Sequence, residues 1–282
     1  MARARKIGNR LGRSLTPILK PVFRAVTRGR FETLPVAEPD AVRRLGRPGR
    51  AALGARFALV SWNVSKLRHR AWLANMTTVA AQADLVLLQE AMLHGDRAHE
   101  FHESSGFEWV MAQSFKYPGK AVTTGVKTGA RAAALDCLMI RSLDREPLYE
   151  SPKTLLATRY ALHDHRGELL VINIHAMNFV STRKFSRQLA QLVELMSPHA
   201  GPMIVAGDFN TWNARRQRLL TAAMAQFGLA RAPVRPWNWR HFTLVLDHVF
   251  YRGLVLGQTR PMVEIRGSDH VPLWAEFTVP DA

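Results

Sequence analysis

The sequence is poor in cysteine, in acidic residues and in long apolar runs. Its 1 cysteine, Cys137, excludes an internal disulfide framework and a cysteine-rich zinc site. No apolar run reaches the roughly 18 residues that a membrane-spanning helix needs. Near the N-terminus, Pro17, Lys20 and Pro21 interrupt the apolar segment that a cleaved secretory signal would require. We therefore expect a cytoplasmic chain without a transmembrane segment.

The 22 acidic residues are outnumbered by 39 lysines and arginines, which gives a formal net charge of +17. Such an excess favours polyanionic partners, either nucleic acid or an anionic membrane surface. The charge is concentrated near the N-terminus, because residues 1–56 contain 14 basic and 3 acidic residues, a net +11. The remaining residues carry only +6, so the main body of the chain argues less strongly for nucleic acid than the total does.

The domain organisation is predicted from composition. Residues 30–56 mix proline and glycine with scattered charges, a composition typical of linkers. We predict a basic arm and linker at residues 1–54 and one folded domain at residues 55–282, which we expect to be monomeric. The arm has two interpretations. It is either an amphipathic segment that contacts an anionic membrane peripherally or a solvated basic tail.

Short apolar runs and helical patterns follow one another along the predicted domain. Residues 67–82 and 182–196 have apolar residues at helical spacing, whereas the shorter runs have the length of strands. Strands mixed with helices predict an α/β or α+β layered fold. The strand-like runs are residues 57–62, 85–88, 135–140, 169–174, 203–206, 249–251 and 274–279.

Polar residues stand at the ends of six of these runs, where a buried strand has no structural need for them. If the late strands run antiparallel to the early ones, all these residues meet at one rim of the sheets, where α/β proteins usually bind ligands. The early runs lead into Asn63, Glu90, His175, and Asp208 with Asn210, and the late runs follow Asp247 with His248 and Asp269 with His270.

These residue types suit phosphoryl chemistry. Carboxylate and amide oxygens are ligands for a hard cation such as Mg²⁺ or Mn²⁺ more than for zinc. Several carboxylates in one cleft would repel one another unless a divalent ion or hydrogen-bonded histidines offset their charge. Histidines beside such an ion can donate hydrogen bonds to the oxygens of a phosphoryl group in its transition state.

The motifs around these residues resemble those of the endonuclease/exonuclease/phosphatase superfamily. In chain order they are SWNV at 61–64, LLQE at 87–90, NIHAMN at 173–178, GDFN at 207–210, LDHVF at 246–250 and SDHVP at 268–272. The SPKTLLATRY and GDFNTW segments look most similar to a bacterial YafD-like subgroup. The resemblance implies a DNase I-like, four-layer α/β sandwich of two mixed β-sheets flanked by helices. It also implies hydrolysis of a phosphoester.

The resemblance implies a metal site at Glu90. This carboxylate would bind Mg²⁺, with Mn²⁺ as a substitute, and Asn63 and Asp269 would complete or support the site. From the residues alone, two other interpretations stay open. Asn63 is also a common turn residue, and Glu90 could cap a following helix.

The resemblance also implies the groups that carry the reaction. Asp208, with Asn210 beside it, would orient or activate the attacking water or assist the leaving group. His270, oriented by Asp247, would stabilise the transition state or act as an acid or base. The competing interpretation of Asp208 and Asn210 is an Asx-turn.

Two further residues would hold the scissile phosphate, namely His175 and Asn178. The alternatives are a structural histidine at position 175 and a turn residue at position 178. His248, whose position the family does not use in catalysis, is interpreted as structural.

Substrate contacts are predicted less directly. The segment around Trp237 and Trp239 interleaves aromatic and basic residues, which is the composition of a base-stacking platform. The same segment could form a loop lid or contact a lipid headgroup. Arg183 and Lys184 are either phosphate contacts or part of a solvated helix face.

We predict from the sequence a Mg²⁺-dependent phosphodiesterase that hydrolyses nucleic acid. The alternative is a phospholipid or sphingomyelin-type phosphodiesterase at a membrane surface. A third hypothesis is a non-catalytic binder of nucleic acid or membrane that acts through the basic arm.

Overall fold

The computed structural model describes residues 33–37, 40–67, 71–93, 101–103, 105–116, 122–147, 150–163, 167–234 and 246–281. The basic arm up to residue 32 and the segment with Trp237 and Trp239 therefore lie outside the described residues. Within the described part, the long helices are α1 (Trp72–Ala81), α2 (Thr182–Met196) and α3 (Ala214–Ala225), residues 101–103 are also helical, and Ser65–Leu67 forms a 3₁₀ turn. The strands in chain order are β1 (Leu34–Pro35), β2 (Val42–Leu45), β3 (Arg56–Asn63), β4 (Leu85–Leu93), β5 (Glu108–Lys116), β6 (Thr123–Ala130), β7 (Ala134–Arg141), β8 (Thr154–Ala161), β9 (Glu168–His175), β10 (Met203–Asp208), β11 (Ala230–Arg231), β12 (Asp247–Arg252), β13 (Val255–Pro261) and β14 (Leu273–Thr278).

The described strands form two mixed sheets. One has the order β1-β5-β6-β4-β3-β14-β13, with β2 also paired to β5, and the other has the order β11-β12-β10-β9-β8-β7. In the centres of the sheets, β3 is parallel to β4 and β9 is parallel to β10. The late strands β14 and β12 run antiparallel to β3 and β10. This orientation is the one that the polar strand ends predicted, and it brings those ends to one rim.

Apolar side chains on opposite faces of each strand build the layers. Along β10, Ile204 and Ala206 pack into the core between the two sheets, whereas Met203 and Val205 pack against α2 and α3. This alternation follows from the two-residue period of a strand. Helix α1 covers the outer face of the other sheet, where Val79 joins the apolar cluster around β3 and β4. The fold is therefore a sandwich of two mixed sheets with helices outside, as predicted.

The helices agree with the sequence prediction to different degrees. Helix α2 spans the predicted residues, and it begins after Ser181, whose side chain caps the backbone N–H of Lys184. Helix α1 begins at Trp72 and is shorter than the predicted 67–82. Helix α3, which has three arginines among its first five residues, was not predicted.

The predicted domain start at residue 55 is too late. Strand β2 pairs with β5 along its whole length, and Leu53 is buried in the core between the sheets. The backbone N–H of Leu53 donates to the carbonyl of Ala161, so this segment also contributes to the hydrogen bonding of the domain. Its proline and glycine content resembles a linker, but pairing with distant strands fixes its structure.

No helix in the described ranges is both long enough and apolar enough to cross a membrane.

Candidate active site

Asp208, the last residue of β10, lies at the centre of the rim. Its side chain is buried, and its register partners are His175 on the parallel strand β9 and Asp247 on the antiparallel strand β12. Three adjacent strands therefore place an imidazole and two carboxylic groups side by side. The two neighbours come from segments that the sequence analysis could relate only by assuming strand directions.

Side chains from both sheets contact the Asp208 carboxyl group. Asn63, at the end of β3, donates from Nδ2 to Oδ2 at 3.0 Å, and the backbone N–H of Asn210 donates to Oδ1 at 2.9 Å. The Nε2 atoms of His175 and His270 lie 3.6 and 3.9 Å from Oδ2. The Asn210 contact has the form of an Asx-turn, which was the competing interpretation of these two residues, and here the turn fixes a residue of the site.

Asp247 and His270 form a tight pair. His270 Nδ1 lies 2.7 Å from Asp247 Oδ2, which leaves Nε2 on the side of Asp208. The second oxygen of Asp247, Oδ1, is buried and has no hydrogen-bond partner within the described residues. A carboxylate at Nδ1 fixes the orientation of the imidazole and stabilises its protonated form.

Burial and nearby charges have opposing effects on the pKa values of Asp208 and His270. Burial raises the pKa of Asp208 to about 7, and the charge of Asp247 adds to this while His270 opposes it. Burial lowers the pKa of His270, but the carboxylates of Asp247, Asp208 and Asp269 outweigh it and raise the pKa to about 10. At neutral pH His270 is therefore an imidazolium, and Asp208 can both release and take up a proton.

His175 has the opposite protonation state. Burial lowers its pKa well below the usual value, and the positive charges of Lys153, His270 and Lys66 lower it further. The ring is therefore neutral near pH 7 and can donate one hydrogen bond. Gln188 on α2 holds the backbone here, accepting from the N–H of Met177 and donating to the carbonyl of His175.

Glu90 lies in an irregularity of β4, between Leu88 and Ala91, where the register with β6 shifts. Its φ of 51° is in the left-handed region, and such a bulge turns a side chain out of the regular pleat. The carboxylate contacts a cation, because Lys66 Nζ lies 3.6 Å from Oε2. Lys66 belongs to the turn after Asn63 and was not predicted as a site residue.

A buried polar link joins the sheets beneath the site. Gln89 Nε2 donates to Asn173 Oδ1 at 2.8 Å, and Asn173 Nδ2 donates to the carbonyl of Leu88 at 3.2 Å. The two residues precede Glu90 and His175 on strands of different sheets. These buried hydrogen bonds connect the two strand ends across the sheets, and within the described residues Gln89 Oε1 is the atom of the link that has no partner.

Left-handed backbone conformations cluster at the rim. Of the six non-glycine residues with positive φ in the described part of the chain, five lie in segments that form the site, and Glu150 is the other. Such conformations are strained and persist where surrounding contacts enforce them. The five are Ser65, Lys66, Glu90, Phe179 and Asn210.

Asp269 is exposed, and the Ser268 hydroxyl connects its segment to the site. That hydroxyl lies 2.6 Å from the carbonyl oxygen of Asn63 and 3.2 Å from Asp269 Oδ1. It also accepts from the backbone N–H of His270. Asp269 thus acts on the site through the pKa of His270, which its charge helps to raise.

Three other predicted residues stand apart from the Asp208 cluster. Asn178 caps its own turn, since its Oδ1 accepts from the N–H of Phe179 at 2.9 Å, as in the turn alternative. Arg183 is exposed in the first turn of α2. His248 is buried, with Nε2 2.7 Å from Thr211 Oγ1, and burial with the charge of Arg231 lowers its pKa to about 3. These contacts support the structural interpretation of His248.

Arg216 on α3 is a buried residue that the sequence analysis missed. Its guanidinium donates to the carbonyls of Met177, Asn210 and Val180. The guanidinium also lies over the ring of Trp212, with 4.9 Å between Cζ and the ring centroid. Arg216 therefore ties the loop after β9 to the loop after β10. Among several arginines on one helix, nothing in the sequence distinguishes it.

Replacing Arg216 by methionine is expected to lower the free energy of unfolding by about 2–5 kcal/mol, because three carbonyls lose a charged donor. Urea unfolding followed by circular dichroism measures the change. The matched control is Arg218→Met, an exposed arginine on the same helix, for which a change within about 0.5 kcal/mol is expected. Equal effects of the two substitutions would contradict the bridging role.

Comparison with known proteins agrees with this geometry. The chain is 36% identical over 245 residues to a UPF0294 protein of Yersinia enterocolitica, which covers 85% of this chain and 92% of the relative. It is also 36% identical over 229 residues to a UPF0294 protein of Vibrio vulnificus, covering 80% and 78% of the two chains. These relatives belong to the YafD-like subgroup that the motifs suggested.

Solved structures share the fold at low identity. A Beutenbergia cavernae endonuclease/exonuclease/phosphatase has a TM-score of 0.63 and 16% identity, and the match covers 79% of this chain and 72% of the other. The human Nocturnin catalytic domain with bound sulfate has a TM-score of 0.60 and 16% identity, covering 83% and 100%. The family profile itself matches residues 60–270, which include all of the contacts around Asp208. The chain therefore belongs to the Endonuclease/Exonuclease/phosphatase family.

Proposed function

We propose that the protein is a Mg²⁺-dependent phosphodiesterase that acts on nucleic acid. The observation that carries this proposal is the buried Asp208 carboxyl group beside His175 and the His270–Asp247 pair. Burial raises the pKa of this carboxyl group to about 7. A carboxylate that titrates near neutrality can act as a base at physiological pH. Two hydrogen-bond donors beside it can receive a phosphate group.

Each group has one role in the proposed hydrolysis. Asp208 accepts a proton from a water molecule, whose oxygen then forms a bond to phosphorus as the ester P–O bond breaks. The imidazolium of His270 donates a hydrogen bond to the phosphoryl oxygen on which negative charge develops in the transition state. Asp247 holds the imidazolium in place. Neutral His175 donates to a further phosphate oxygen. Asn63 and Asn210 keep the Asp208 carboxylate in position through the two hydrogen bonds described above.

The donor set at Glu90 fits a hard divalent cation. The carboxylate is partly exposed and already holds the ammonium of Lys66. The described residues contain no group of three or more histidine, cysteine or acidic side chains arranged to bind a metal. Mg²⁺ commonly binds through one or two carboxylates together with water and substrate phosphate, whereas zinc sites use three or four protein ligands. Bound at Glu90, with Asn63 and Asp269 as supporting residues, the ion would polarise a phosphoryl oxygen.

Charge and exposed aromatic residues support nucleic acid as the substrate. The net charge of +17 favours a polyanion. Phe179 and Trp212, 45% and 39% exposed, lie on the loops that follow β9 and β10. Exposed aromatic rings beside a phosphate site can stack on bases. A cytoplasmic location and a peripheral membrane contact of the basic arm stay predictions.

Removal of divalent ions with a chelator is expected to abolish hydrolysis, and Mg²⁺ or Mn²⁺, but not Zn²⁺, should restore it. Glu90→Gln should weaken Mg²⁺ binding in calorimetry by at least about tenfold, because it removes the charged ligand. The control is Glu194→Gln on α2, distant from the site in sequence and not part of the proposed ligand set. Unchanged Mg²⁺ affinity in Glu90→Gln would contradict the assignment of the metal site.

The substrate class is tested by one panel assayed with Mg²⁺, containing plasmid DNA, single-stranded DNA, RNA, sphingomyelin, phosphatidyl lipids and inositol phosphates. Cleavage of a nucleic acid is the expected result. Cleavage of a lipid alone would contradict nucleic acid as the substrate and support the alternative, a phosphodiesterase that acts on lipids at a membrane surface. Absence of hydrolysis of every member would contradict the phosphodiesterase and favour a non-catalytic binder.

A further inference from the structure

The ion pair between Lys66 and Glu90 places a cation of the protein itself at the proposed metal site. Lys66 Nζ and Glu90 Oε2 are 3.6 Å apart, and both side chains are 24% exposed. The pair is therefore partly shielded from water, and both residues are held in left-handed conformations, with φ of 63° and 51°. Strained backbone at both ends indicates that the surrounding structure enforces the backbone conformation from which each side chain extends.

The same ammonium lies within electrostatic reach of the phosphate site. The charge of Lys66 contributes to the low pKa of His175, which is the proposed hydrogen-bond donor to the phosphate group. Lys66 lies three residues after Asn63, whose side chain contacts Asp208. The Oδ1 of Asn63 also accepts from the backbone N–H of Ser65, which connects Asn63 to the turn that contains Lys66. One short segment thus carries both an Asp208 contact and the cation that neutralises Glu90.

We propose that Lys66 and the divalent ion compete for Glu90, and that metal binding transfers the Lys66 ammonium to the phosphate group of the substrate. This inference rests on the proposed function, and it deepens it by adding a phosphate-binding residue. Without metal, the ammonium neutralises the carboxylate. With metal, two cations at one carboxylate repel each other, and the long flexible lysine side chain moves to the nearest anion.

Calorimetry with Mg²⁺ alone tests the competition. Lys66→Gln is expected to bind Mg²⁺ about 3- to 10-fold more tightly than the native protein, because the competing cation is absent. Lys66→Arg, which keeps the charge, should remain within about twofold. Lys153→Gln is the electrostatic control, since Lys153 also acts on His175 but pairs with Glu146. Unchanged or weaker Mg²⁺ binding in Lys66→Gln, or an equal gain in Lys153→Gln, would overturn the competition.

Inorganic phosphate, titrated in the presence of saturating Mg²⁺, tests the transfer. Lys66→Gln should bind phosphate about 3- to 10-fold more weakly, which is the size expected for one lost ionic contact. Unchanged phosphate affinity would overturn the transfer. These readouts do not depend on turnover, so a protein that binds Mg²⁺ and phosphate as expected but hydrolyses nothing would contradict the proposed function and leave the inference standing.

Discussion

Asp208→Asn is expected to lower kcat by about 10²- to 10⁴-fold, the contribution typical of a positioned general base. Asparagine keeps the size of the side chain and can still accept from the N–H of Asn210, but it cannot take a proton from water. The measurement is steady-state hydrolysis of the substrate found in the panel, with Mg²⁺ at saturation. KM should change much less than kcat, because the role of Asp208 is in the transition state.

The stability of the same variant provides an internal check. Asp208 has a folded pKa of about 7, above its usual value of 3.8, so the folded protein binds this proton more tightly than the unfolded chain. Ionisation of Asp208 therefore destabilises the fold, and the penalty grows as the pH rises from about 3.8 to about 7. Asp208→Asn lacks this penalty and is expected to be at least as stable as the native protein above pH 7. A variant with reduced turnover that is also unfolded would not support the role as base.

His270→Gln is the second substitution expected to have a large effect, with kcat reduced by about 10²- to 10⁴-fold. Glutamine can donate a hydrogen bond, but it carries no charge to stabilise the developing phosphoryl charge. The native rate is expected to rise with pH through about 7, as Asp208 ionises, and to fall through about 10, as His270 loses its proton. In His270→Gln the fall near pH 10 should be absent. A native profile without this fall would contradict the role of the imidazolium.

The His270–Asp247 pair also predicts a pH-dependent stability. The folded pKa of His270, about 10, lies above its usual value of 6.5, so the protonated histidine stabilises the fold. This contribution is fully present below about pH 6.5 and is lost as the pH rises through about 10. The stability difference between native protein and His270→Gln should therefore be largest in mild acid. Urea unfolding at several pH values measures it.

Much of the site could be read from the sequence because its residues stand at the ends of apolar runs. Asn63, His175 and Asp208 end strands whose interiors are mostly apolar, so a polar residue at the end of such a run is easily recognised. Helix α2 was also located from its apolar period. These signals are local, so they do not depend on the rest of the fold.

Other parts were invisible because their residues have no local preference for the structure they adopt. Strand β6, TTGVKTGA, contains two glycines and a lysine, which are depleted in strands, yet it is buried between β4 and β5. At Gly129 an added Cβ would lie 2.5 Å from the ring of Trp109, its register partner, so close packing with the adjacent strand β5 explains the glycine. Strand β2 was not predicted, because it lies in a segment that has the composition of a linker.

The sequence by itself determined the family, the layered α/β fold and the residues at the strand ends, since motif order and apolar period are properties of the chain. The tertiary structure alone decided what those residues do to one another. Burial raises the pKa of Asp208, Asp247 raises that of His270, and Lys66 pairs with Glu90. Each of these effects depends on distances between groups far apart in the chain and on their removal from water, and neither is set until the sheets pack.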